Sequence, residues 1–72
     1  MSKRTREQVR KAILQALADG KRHRYGFLER KVDTSWITVR DHCKELALFK
    51  AVTISEKGVR ITRLGHEILK RI

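Results

Sequence analysis

Two short apolar stripes, Leu28 with Val32 and then Val39 with Cys43 and Leu46, are separated only by Asp33-Thr34-Ser35. Asp, Thr and Ser side chains compete with the backbone for hydrogen bonds, so three in a row end one helix and cap the next. Two short helices joined by a turn of that length make a helix-turn-helix unit. A brief helix is expected to follow Tyr25-Gly-Phe-Leu28. The next is expected from about residue 36 to 49, with Ser35 as its cap.

The flanking segments supply the rest of a small fold. Thr5-Arg-Glu-Gln8 is a capping-box pattern, in which the Thr5 hydroxyl accepts from a free helix N–H and Gln8 reaches back. Val9, Ala12, Ile13, Ala16 and Leu17 follow at helical spacing up to Gly20, a residue suited to a C-terminal left-handed turn. A first helix is therefore predicted over about residues 6–19. Lys21-Arg-His-Arg24 is a basic connector with the option of a short extended strand. Val52-Thr-Ile-Ser55 and Val59-Arg-Ile-Thr62 bracket Glu56-Lys-Gly58, the pattern of a tight hairpin. Val52 and Ile54 are expected on one face, as are Val59 and Ile61. A last helix, about residues 63–70 with Thr62 as cap, is expected to turn Leu64, Ile68 and Leu69 inward. The order is helix, connector, helix, helix, hairpin, helix, an α+β domain. Residues 1–72 read as one domain, with 1–4 a flexible basic tail.

Charge narrows the choice of partner. Eighteen Lys and Arg stand against eight Asp and Glu, a net +10 on 72 residues. Such self-repulsion is usually maintained for a polyanionic partner, and duplex DNA carries one negative charge per ~1.7 Å of axis. A lone Cys43 rules out an intramolecular disulfide and fits a reducing compartment. No apolar run approaches the ~20 residues of a membrane-spanning helix. No apolar segment follows the basic N-terminus as a secretory signal requires. The expected location is cytoplasmic and nucleoid-associated.

Taken together, these segments resemble the winged helix-turn-helix family over nearly the whole chain, and in overall cut the minimal archaeal and viral regulators within it. Leu28-Glu-Arg-Lys-Val-Asp-Thr-Ser-Trp-Ile-Thr-Val-Arg-Asp-His-Cys-Lys-Glu-Leu46 is similar to the family's two-helix unit, with Thr38-Val39 at its usual Thr-Val pair. Ile61-Thr-Arg-Leu-Gly65 resembles the family's "LTxxG", which leads from the second wing strand into a final helix. Two positions depart from the pattern. Asp33 stands at the usual turn glycine, and Lys50 stands where a glycine often closes the recognition helix. The resemblance implies a three-helix core, a short β-hairpin wing and a C-terminal helix. It also implies duplex DNA as the partner, with the third helix in the major groove and a dimer through the first and last helices. Ile72 and the outer face of the first helix are the candidate dimer residues.

On that docking, Ile37, Asp41 and Lys44 lie opposite the Val39–Cys43 stripe, with Thr38 and Arg40 on its flanks. Arg40 suits a bidentate hold on guanine, and Ile37 suits a thymine methyl. Asp41 either accepts from a cytosine amine or pairs with Arg40 or Lys44. Trp36, about 60° from the Val39 direction, is either a plate against sugar or base or a core-edge residue roofing the second helix, and the core-edge reading is preferred. Tyr25 reads as a staple where the second helix begins. Leu48 points outward. Backbone contacts are expected from Arg22, Arg24, Lys31, Ser35, Thr38, Lys57 and Arg60, and from Lys3, Arg4 and Arg6 of the tail.

Nothing in the residues points to catalysis. His23, His42 and His66 are scattered, no metal-ligand spacing or phosphate-cradling loop is present, and Cys43 reads as a small buried hydrophobe. No cofactor, metal or small-molecule ligand is expected, and the protein is expected not to be an enzyme. The rival partners are a double-stranded RNA or ribonucleoprotein and, for an adaptor module, another protein.

Overall fold

The computed structural model describes residues 5–71. The expected tail, including Lys3 and Arg4, and the dimer candidate Ile72 lie outside them. Four helices and one two-stranded antiparallel sheet follow in the order α1 (Arg6–Ala16), α2 (Tyr25–Val32), α3 (Trp36–Leu48), β1 (Val52–Ser55), β2 (Gly58–Ile61) and α4 (Arg63–Arg71).

The capping box at the start of α1 is formed in both directions. Thr5 Oγ1 accepts from the Gln8 N–H at 3.1 Å, and Gln8 Oε1 accepts from the Thr5 N–H at 2.9 Å. The helix ends at Ala16, earlier than the residue 19 expected. Leu17 N–H is shared between the carbonyls of Ile13 and Leu14, Ala18 N–H turns to Gln15, and Gly20 N–H turns to Leu17. This tightened last turn leaves Leu17 fully buried and brings the chain to Gly20 at φ +78°.

Both departures from the family pattern take the left-handed conformation that a glycine would supply. Asp33 closes α2 at φ 56°. Lys50 lies at φ 61° beyond α3, where its N–H bonds the Ala47 carbonyl and the Ala51 N–H bonds that of Leu46 at 2.8 Å. These paired bonds are a Schellman closure, with buried Ala51 as its apolar partner to Leu46. At the head of α3, Ser35 Oγ accepts from the Thr38 N–H at 3.2 Å, as the sequence predicts.

The hairpin pairs Val52 with Ile61, Thr53 with Arg60, Ile54 with Val59 and Ser55 with Gly58. The basic connector joins it through one residue. His23 N–H donates to the Val59 carbonyl at 2.9 Å, and Val59 N–H donates back at 2.7 Å. Gly58 is what permits this approach. Its φ is +130°, and a Cβ there would stand 2.5 Å from the His23 carbonyl oxygen.

One core lies between the helices and the inner face of the hairpin. Ile13, Leu14 and Leu17 of the first helical segment meet Leu28 and Val32, then Val39, Cys43 and Leu46, with Val52, Val59 and Ile61 closing the far side. Two expectations of burial fail. Ile54 shares the inward side of β1 with Val52 yet is 40% exposed, because β1 is the edge strand, whereas its partner Val59 is flanked by β1 and by His23 and is fully buried. Leu64 is 43% exposed while Ile68 and Leu69 pack partly inward. Gly65 is the buried face of that helix instead, and a Cβ on it would collide with the Ala51 carbonyl and the Ile61 side chain. Thr62 sets this approach, accepting from Gly65 N–H at 3.1 Å while its hydroxyl donates to the Lys50 carbonyl at 2.6 Å.

Among the described residues no helix is long and apolar enough to cross a membrane.

Candidate nucleic-acid interface

The starts of α2 and α3 and the tip of the hairpin converge on one open groove of about 250 Å³. Arg24, Tyr25 and Gly26 form one wall, Trp36 a second, and Ile54, Ser55, Glu56 and Gly58 the third. The convergence follows from local structure. Asp33 turns the chain so that α3 begins beside α2, and the His23–Val59 bridge draws the hairpin against the connector. Arg22 strengthens the same junction by donating from its guanidinium to Ser55 Oγ. Ser55 Oγ also accepts from the Lys57 N–H at 3.2 Å, which shapes the hairpin turn.

Trp36 stands at the head of α3, beside the head of α2. The Tyr25 and Trp36 rings meet in a T-shaped pair, 6.3 Å between centroids and 86° between planes, which packs Trp36 on the start of α2. It is also 44% exposed and open to the groove. The Arg40 guanidinium lies 5.0 Å from the indole centroid, a cation–π contact that holds a flexible side chain in place. Arg40 Nε is buried without a hydrogen-bond partner. Asp41 Oδ1 stands 3.9 Å from it, an ion pair too long to be a hydrogen bond. Burial pushes the Tyr25 phenol above its ordinary pKa, so the ring presents a neutral wall.

The remaining predicted residues divide into those near this surface and those held elsewhere. Ile37, Asp41 and Lys44 are exposed on the outward side of α3, in line with Leu48 at 83% exposure. Ser35 and Thr38 bond each other at 2.8 Å at the head of the same helix. Lys57 and Arg60 are exposed on the hairpin. Lys31 turns away, with its ammonium 5.8 Å from the Phe27 ring, which in turn stacks on His23 at 4.0 Å. Arg6 belongs to α1 rather than to a tail, and pairs with Glu45 of α3.

Tyr25, Gly26, Ile54, Ser55 and Glu56 were not anticipated as part of one site. Their signal is the pair of aromatics at the heads of two consecutive helices, which becomes visible only once the turn places those heads together. His42, expected only as one of three scattered histidines, is among the buried residues of α3. It is buried against α1, with Nδ1 lacking a hydrogen-bond partner. Cys43 is fully buried, and its thiol is pushed up to about 12 by desolvation, which makes it an unreactive core side chain.

No protein-family model and no curated protein sequence matches this chain.

Proposed function

We propose that this chain is a winged helix-turn-helix protein that binds duplex DNA as a transcriptional regulator. The helix α3 would lie in the major groove, and the β1–β2 wing would rest on the phosphate backbone. The observation that carries the reading is the convergence of two helix starts and the hairpin tip on a single groove, with Arg40 held against its Trp36 wall. Arg40 suits base readout because its guanidinium is held against the Trp36 ring on a side chain that stays 38% exposed. Arg24, at the head of a helix with no side-chain cap, suits a phosphate, as do Arg22, Lys44, Lys57 and Arg60. The wing has only four residues in each strand, so it grips the backbone rather than reaching into the minor groove.

The test compares affinities for duplex DNA, duplex RNA and single strands at one physiological salt concentration. The reading predicts a clear preference for duplex DNA. Equal affinity for all three, or a preference for A-form RNA, would overturn it.

A protein-interaction module is the second reading, favoured by exposed Ile37, Leu48 and Phe49 on or beside α3. It predicts weak DNA binding that vanishes at physiological salt. The homodimer through α1 and α4 also remains a proposal. The exposed positions of α1 are all polar, so any such seam would be polar on that side among the described residues.

A further inference from the structure

We propose that the groove between Tyr25, Trp36 and the hairpin tip is a capture site for one unpaired nucleotide at the edge of the bound duplex. This rests on the DNA-binding reading and adds a preference for duplexes that carry an overhanging or extrahelical base. The groove, about 250 Å³, is the size of roughly eight waters, a scale suited to a single flat ring system rather than a peptide or a helix. Two of its walls are aromatic, set at 86° to one another. An aromatic wall gains most from a base whose face is open. Inside an intact duplex the neighbouring pairs cover both faces of each base, and a base at a blunt end stays paired, so a base outside the stack is the one free to enter the groove.

The charges sort base from phosphate. Arg24 stands at the helix-start rim, and Arg40 lies against the indole. Glu56 lines the hairpin side, where its carboxylate repels phosphate and offers an acceptor to an exocyclic amine. The base therefore enters between Trp36, Tyr25 and Ile54, and its phosphate stays at the Arg24 rim.

The experiment uses the full chain and four DNAs of the same duplex sequence: blunt, with a one-nucleotide overhang, with a one-base bulge, and with the overhang made abasic. Trp36 is the sole tryptophan, so its fluorescence reports on the groove directly. The proposal predicts that the overhang or the bulge binds on the order of ten-fold tighter than the blunt duplex and quenches Trp36, and that the abasic overhang loses this gain. Trp36→Leu brings the overhang-to-blunt ratio to one, whereas Trp36→Phe keeps most of it. Thermal melts of both variants verify folding, and the abasic arm tests the proposal on the wild-type chain alone. Equal binding of the blunt, overhanging and bulged DNAs overturns the capture site and leaves duplex binding standing, and a gain that survives removal of the base does the same. No binding to any of the four overturns both readings.

Discussion

Arg40 lies one helical turn beyond Trp36 on α3, with its guanidinium 5.0 Å from the indole centroid. The indole thus limits the conformations open to Arg40. On the DNA-binding reading, Arg40→Ala should relax sequence preference, at a cost of roughly 1–3 kcal/mol for the cognate site. Arg40→Lys keeps the charge but loses the planar fork, so it should recover little of that preference. Lys57→Ala should instead weaken all duplexes alike and lower the salt slope by about one. Competition binding with randomised duplexes distinguishes the two patterns.

Gly58 is the hinge between connector and hairpin. Its φ of +130° and its closeness to the His23 carbonyl leave no room for a side chain. Gly58→Ala should destabilise the fold by roughly 1–3 kcal/mol. Gly26→Ala makes the contrast, because a Cβ there meets nothing within 4 Å on a helix. It should stabilise by about 0.5 kcal/mol. Urea denaturation of both variants reads the difference.

Lys50 carries a side chain in the left-handed region, where the Schellman closure of α3 needs it. Replacement by glycine relieves about 1–2 kcal/mol of steric cost and adds about 0.5–1 kcal/mol of backbone entropy loss. Lys50→Gly should therefore raise the melting temperature modestly, with the helix ending unchanged in its amide exchange pattern.

The helix-turn-helix was legible because its signals are local: Ser35 as cap, the Val39–Cys43–Leu46 stripe, and Asp33 at a left-handed turn. The hairpin was legible for the same reason. The true end of α1 was not, since Leu17 keeps the spacing of the buried stripe while the backbone has already tightened, with its N–H shared between the Ile13 and Leu14 carbonyls. Leu64 misled because the helix turns its Gly65 face inward, and that choice depends on the Ala51 carbonyl lying directly beneath it. The groove was not legible because its walls come from residues 24–26, 36, 54–56 and 58, which only the folded chain brings together.

His42 gives the stability a pH dependence. Burial lowers its pKa below the ordinary 6.5, and Arg6 and Arg10 from α1 lower it further, while Glu45 and Asp41 of α3 oppose them. The unfolded chain therefore binds a proton more readily than the folded one. The contribution is fully present above about pH 6.5 and is lost as pH falls through the folded value. Chemical denaturation from about pH 7.5 down to pH 5 should show falling stability, and His42→Leu should flatten that part of the curve.

The central claim is that α3, the start of α2 and the hairpin tip together face the DNA. The most direct measurement is a backbone amide chemical-shift titration of the protein with a short duplex. The account predicts shifts concentrated at residues 24–26, 36–44 and 55–60, with α1 and α4 little changed. Shifts centred on α1 and α4, or none at residues 36–44 with saturating duplex, would contradict it.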